Sequence, residues 1–175
     1  MKKRILIVED EKIIAEDIKH SLLSFGYDVI GIISSGEDAV IEAQKERPDI
    51  VLMDIMLNGE MTGLEAARQI YKNYNIPALF LTAYATEEIL QEAALSSPFG
   101  YLIKPFEERE LKVNLDMALY KHSMEKNLRN SRNFLLTLID TVPTFISVKD
   151  KDHKYVIANK AIIDEYQTTP TAIIG

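Results

Sequence analysis

Five short apolar runs recur along the first 106 residues: RILIV (4–8), DVIGII (28–33), DIVLM (49–53), PALFL (77–81) and GYLI (100–103). Runs this continuous suit strands covered on both faces, because a strand with one wet face alternates apolar with polar. Between them lie segments of roughly 10 to 15 residues with helical spacing. Their apolar positions are Ile13, Ile14, Ile18 and Leu22 in the first, Ala39, Val40 and Ala43 in the second, and Leu64, Ala67, Ile70 and Tyr71 in the third. Strand and helix repeating in this way predict a parallel sheet with helices on both faces. Gly26, Pro48, Pro77 and the loop NGEMTG (58–63) fall where such units need turns.

A change of character follows Phe106. The stretch from Glu107 to Val142 contains neither Gly nor Pro, which predicts a helical connector from about 107 to 140. Leu111, Leu115 and Ala118 are spaced for a buried stripe, and Leu128, Leu135 and Val142 recur every seven residues; the two sets do not share one register. Beyond Pro143, two strand-like runs (Phe145 to Val148 and Tyr155 to Ala158) flank the polar turn KDKDHK, and a short helix is expected from Asn159. The roughly 30 residues after Pro143 are fewer than the roughly 40 a domain usually needs without disulfides or metal, so this segment reads as the front of a domain.

Bulk properties narrow the function classes. The chain of 175 residues is 47% hydrophobic and 27% charged, in the range of globular proteins. A net charge of -7 argues against a nucleic-acid surface, which needs clustered Lys and Arg. Cysteine is absent, which removes disulfides and thiolate metal sites. The start MKKRILIVED has too few apolar residues for a signal peptide or a membrane span, so the expected location is the cytoplasm, with no membrane partner.

In a doubly wound sheet, ligands bind outside the carboxyl ends of the strands. The residues expected there are Glu9, Asp10 and Glu11 after the first run, Asp54 after the third, Thr82 after the fourth and Lys104 after the fifth. Taken singly, each has an ordinary reading as a cap, a helix first turn or a solvated charge. Taken together, they gather carboxylates that repel unless a cation sits among them. Mg²⁺ (or Mn²⁺) suits oxygen ligands and tolerates retained waters. Lys104 and Thr82 then offer a charge and a hydroxyl to a phosphoryl group, which leaves Asp54 as the nucleophile, forming an aspartyl phosphate.

Through ILIVEDE, VLMDIML, FLTAYA and GYLIKPF, in that order and spacing, the chain from Arg4 to about Tyr120 resembles the receiver domain of two-component response regulators. The resemblance implies a flavodoxin-like (βα)5 fold with a five-stranded parallel sheet in the order 2-1-3-4-5. It implies that Asp54 accepts phosphate from a phosphohistidine of a histidine kinase or phosphotransfer protein. Asp10 would bind Mg²⁺ directly and Glu9 through water, with Asp54 and the Met56 carbonyl as further ligands. Lys104 would pair with the phosphoryl oxygens, Thr82 would swing toward them, and Tyr101 would turn inward with it. The Lys104–Pro105 bond is expected to be cis.

Two departures stand out: Glu9 where many members carry Asp, and a loop after Asp54 that is one residue longer than in the single-domain chemotaxis regulator. Met56 and Tyr84 occupy the positions that flank the phosphoryl group, and neither orients an attacking water well, so a long-lived phosphate is expected. The tail LIDTVPTFISVKDKDHKYVIANKAIIDEY resembles the opening of a PAS sensor domain, giving an expected organisation of receiver 1–120, helical linker 121–142 and PAS-like segment 143–175. The fourth helix (about 86–95), the fifth strand, the fifth helix and the connector are the expected homodimer face.

Three other readings compete. A degenerate receiver would bind partners without phosphorylation. A haloacid-dehalogenase-like phosphatase also uses an aspartyl phosphate but wants a second acid two residues on, where Met56 stands. A flavodoxin-type FMN carrier needs a Ser/Thr/Gly-rich loop after the first strand, where this chain has EDEK.

Overall fold

The computed structural model describes residues 2–83 and 99–169. The helix expected over 86–95 and Tyr84 lie outside the described residues. Two compact units divide the chain, Met1–Ser123 and Met124–Gly175.

The first unit is built on strands β1 (Arg4–Val8), β2 (Asp28–Ile33), β3 (Ile50–Asp54), β4 (Ala78–Thr82) and β5 (Gly100–Ile103). They form one parallel sheet in the order β2-β1-β3-β4-β5. Helices α1 (Lys12–Ser24), α2 (Gly36–Glu46) and α3 (Gly63–Tyr74) connect the first four strands, and α4 (Glu108–Asp140) follows β5. The reversal of strand order at β1 and β3 puts the first and third strand ends side by side, which is where such sheets carry their sites.

Continuous apolar strands feed two cores. Ile5, Ile7, Ile50, Leu52, Leu79 and Leu81 pack with Ala15, Ile18 and Leu22 of α1 and Leu111, Leu115 and Ala118 of α4. The alternate strand residues Leu6, Val8, Val51, Met53 and Phe80 pack with Ala39 and Ala43 of α2 and Leu64, Ala67 and Ile70 of α3. Period-two alternation thus divides each strand between the two layers.

Local signals end and begin the helices. Gly26, at φ 86, follows α1 in the left-handed region that glycine adopts freely. Ser35 caps α2 by accepting from the Asp38 N–H. Thr62 and Glu65 form a reciprocal capping box at the start of α3, each side chain accepting a backbone N–H of the other.

Several expectations shift. Ile13, one of the apolar positions with helical spacing in α1, is 87% exposed, while Ala15, Ile18, Ser21 and Leu22 are the buried residues of that helix. Asp54 and Thr82 are the last residues of their strands rather than the first beyond them, and both are buried. Ladder pairing extends to them, Asp54 opposite Leu81 and Thr82 opposite Ile103.

In the second unit, the antiparallel pair β6 (Ser147–Lys149) and β7 (Tyr155–Ala158) is followed by α5 (Lys160–Glu165). The first strand begins at Ser147, two residues later than its apolar run. Asp150 stabilises the turn by accepting from the Asp152 and Lys154 N–H groups. Asn159 sits at the N-cap of α5, yet its side chain does not cap the helix. It is fully buried, accepts from the Ile146 N–H, and donates to the carbonyls of Ile139, Val142 and Thr144. Asp140 caps the helix instead, accepting from the Lys160 N–H at 2.8 Å.

Candidate functional site

Three carboxylates and one ammonium meet at the carboxyl ends of β1, β3 and β5. The Lys104 Nζ donates to Glu9 Oε2 and to Asp54 Oδ2, each at 2.6 Å. All three side chains are largely shielded, with Glu9 only 1% exposed. Lys104 follows β5, and its N–H donates to the Thr82 carbonyl at 2.8 Å, which ties the start of the lysine loop to the end of β4. The Lys104–Pro105 peptide is cis.

Asp54 is held at both oxygens: Oδ2 faces Lys104, and Oδ1 accepts from the Met56 N–H at 2.9 Å. These partners are what allow an acid to close an apolar strand. A buried carboxylate is tolerable only when a counter-charge and hydrogen bonds replace its water.

The electrostatics follow from that crowding. Burial pushes the Glu9 carboxyl above its ordinary value; the Lys104 hydrogen bond opposes this and the Asp54 charge adds to it. Burial pulls the Lys104 ammonium down, but hydrogen bonds to Asp54 and Glu9, together with their charges, leave it above its ordinary value. Glu9, Asp10 and Asp54 each offer an oxygen, and these lie within 4.8 Å of one another. Three hard oxygen donors at that separation could hold a small divalent cation.

The other expected residues are distributed as follows. Thr82 is 1% exposed at the end of β4, on the strand between Asp54 and Lys104. Tyr101 lies on β5 opposite Phe80 and is 45% exposed, turned toward solvent. Met56 is exposed, with its N–H committed to Asp54. Glu11 donates its N–H to Glu9 Oε1 at 3.4 Å.

Two contributors escaped the reading of the sequence. Asn58 donates its side-chain amide to the Asp10 carboxylate. Gly63 opens α3 directly against the Asp54 backbone, where a Cβ would stand 1.8 Å from the Asp54 carbonyl oxygen. Its signal lay in the capping box TGLE, which puts glycine at a first helical position where most residues do better.

Comparison with known proteins agrees with this geometry. The response regulator receiver domain family model matches residues 5–116. The transcriptional regulatory protein PdtaR of Mycobacterium tuberculosis is 32% identical over 117 residues, covering 67% of this chain; the chain spans 57% of that relative's length. Among solved structures, the signal receiver domain of a modulated diguanylate cyclase from Desulfovibrio desulfuricans G20 is 40% identical at a TM-score of 0.68, covering 71% of this chain and 99% of that one. The N-terminal domain of a response regulator/sensory box/GGDEF three-domain protein from Carboxydothermus hydrogenoformans is 35% identical at a TM-score of 0.64, covering 70% and 98%. The receiver domain of the sensor histidine kinase PA1611 from Pseudomonas aeruginosa PAO1, whose active-site cleft coordinates a magnesium ion, is 32% identical at a TM-score of 0.62, covering 68% and 98%. With the family match spanning residues 5–116 of 175, this chain belongs to the response regulator receiver domain family of two-component signalling.

Proposed function

We propose that the first unit is a working phosphoacceptor, in which Asp54 takes a phosphoryl group from the phosphohistidine of a histidine kinase or phosphotransfer protein. The observation that carries this is Lys104, set between the buried acids Asp54 and Glu9 at 2.6 Å from each. A degenerate receiver has no need to maintain a largely shielded ammonium against two buried acids, whose charges are costly to desolvate.

In the proposed step, a carboxylate oxygen of Asp54 bonds to phosphorus as the P–N bond breaks, and the electron pair leaves on the imidazole. Met56 N–H fixes the Asp54 carboxylate, so the attacking group needs no reorientation. Lys104 passes from Asp54 to the phosphoryl oxygens, keeping its charge beside the developing negative charge. Glu9, Asp10 and Asp54, with the Met56 carbonyl, would hold Mg²⁺ or Mn²⁺, which supplies further positive charge to those oxygens. The acid triad fits that ion in donor chemistry and separation.

The output is a population shift. Thr82 moves toward the phosphoryl group and Tyr101, exposed in this state, turns inward behind it. The residue ranges assigned to the parts are a receiver over 1–120, a helical linker over 121–142 and a PAS-like segment over 143–175. A hairpin followed by a short helix after a long helix supports the last of these. So does the domain order of the Carboxydothermus hydrogenoformans relative, in which a receiver precedes a sensory box. No helix among the described residues is long and apolar enough to cross a membrane. We place the protein in the cytoplasm, with kinase recognition by the receiver and homodimer formation through the face expected of the fourth helix, the fifth strand and the fifth helix, together with the connector.

The test is incubation with acetyl phosphate and Mg²⁺ followed by intact mass. A single phosphate adduct, labile to hydroxylamine and lost in Asp54→Asn, is expected. No adduct would leave a phosphorylation-independent binding module, and steady release of phosphate from many esters would point to a phosphatase.

A further inference from the structure

The acid cluster is unevenly neutralised. Lys104 reaches Glu9 and Asp54 but not Asp10, whose one hydrogen bond among the described residues comes from the Asn58 side-chain amide. Asn58 lies in the loop between β3 and α3, the loop whose extra residue set this chain apart at the level of sequence. That loop is anchored at several points. Met61 N–H donates to Glu37 Oε1 at 2.9 Å, reaching the start of α2. Gly63 N–H donates to the Ile55 carbonyl at 3.1 Å, and Thr62 enters the capping box of α3. Asn58 is therefore presented to Asp10 by a braced segment, although its own side chain is exposed.

An amide N–H directed at a carboxylate oxygen occupies a lone pair and places partial positive charge beside it. A divalent cation binding the same carboxylate seeks the same electrons. We propose that Asn58 is a latch on the metal site: its amide stands in for the cation at Asp10 in the metal-free protein, and it competes with Mg²⁺ for that carboxylate. This rests on the reading of Glu9, Asp10 and Asp54 as the Mg²⁺ ligands. The latch quiets the one acid that Lys104 leaves unneutralised, and it makes the loop beside the phosphoacceptor respond to metal loading. Entry of the cation releases Asn58 from Asp10, while Glu37 and the capping box continue to hold the rest of the loop.

Isothermal titration with Mg²⁺ and thermal unfolding, in EDTA and in saturating Mg²⁺, test the latch in Asn58→Ala and Asn58→Ser. Both variants should bind Mg²⁺ roughly ten-fold more tightly, the low end of what one hydrogen bond to a charged group is worth. Both should lower Tm in EDTA while leaving Tm in saturating Mg²⁺ close to that of the wild type. Unchanged or weaker Mg²⁺ binding would overturn the proposal, as would an equal loss of Tm in both conditions, because the contact would then persist with metal bound. If the wild type itself takes up no Mg²⁺, both the latch and the metal reading fall. If the wild type binds Mg²⁺ and the variants match it, only the latch falls.

Discussion

At the scale of single residues, the site depends on contacts that bring nothing chemical of their own. Gly63 is the clearest case. A methyl group there would stand 1.8 Å from the Asp54 carbonyl oxygen and 3.1 Å from the Ile55 Cα. Backbone atoms at the end of a paired strand cannot give way as a flexible side chain can. Gly63→Ala should therefore cost about 3 kcal/mol or more in a denaturant titration. Whatever population stays folded should phosphorylate Asp54 more slowly, because the strand end that aims it has moved. Met56 poses the opposite question, since its exposed side chain has no polar atom to direct a water at the phosphoryl group. A phosphate lifetime of minutes or longer is expected from the purified protein in Mg²⁺. Met56→Asn should shorten it several-fold, as followed by the decay of the phosphorylated mass; a half-life of seconds in the wild type would refute the reading. The acids and Lys104 were legible in the sequence because each closes an apolar run, so strand order alone gathers them. Asn58 and Gly63 were not, because their partners lie across a loop whose path no periodicity encodes.

At the scale of elements, the parallel sheet needs its central strands in register, and Asp49 does this between β1 and β3. Its carboxylate accepts from the Arg4 N–H at 2.9 Å and from the Lys3 Nζ at 2.8 Å, while its own N–H donates to the Arg4 carbonyl at 2.8 Å. Partial burial pushes this carboxyl up, but the Arg4 N–H and the Lys3 ammonium outweigh it and hold it below its ordinary value of 3.8. A depressed carboxyl stabilises the fold above its unfolded value and loses that contribution as pH falls through the folded one. Asp49→Asn should thus cost about 1 kcal/mol near neutral pH, discounted for a carboxylate that is still about a third exposed, and the deficit should shrink toward zero below the ordinary value. Urea midpoints of both proteins across that range check the sign; a deficit that grows in acid would contradict it. Element types were readable because covered strands write themselves as unbroken apolar runs and α4 lacks any breaker. The buried face of α1 was not, since the helix carries more apolar residues than its contact strip can cover, and Ile13 is left in solvent.

At the scale of the whole molecule, α4 is one helix in two roles. Its first turns complete the receiver core, where Leu111, Leu115 and Ala118 are buried against the sheet, while its later residues belong to the second unit. The length of the helix was legible from composition, but the point at which its allegiance changes was not, because an apolar residue reads alike whether it faces a core or solvent. Leu115 is fully buried and Leu128 is 73% exposed. If the unit boundary at Ser123 marks the limit of cooperative folding, a chain ending there should unfold as one transition with an unfolding free energy within about 1 kcal/mol of the receiver transition in the full chain. It should also accept phosphate from acetyl phosphate at the same rate. A chain ending at Glu107 loses the two leucines and the alanine, a burial worth roughly 4 to 6 kcal/mol, comparable with the whole stability of an ordinary domain. Circular dichroism should find that shorter chain unfolded at room temperature. A folded product would mean that α4 is an accessory to the receiver, and a longer chain that failed to fold would mean that the second unit is needed to hold the first.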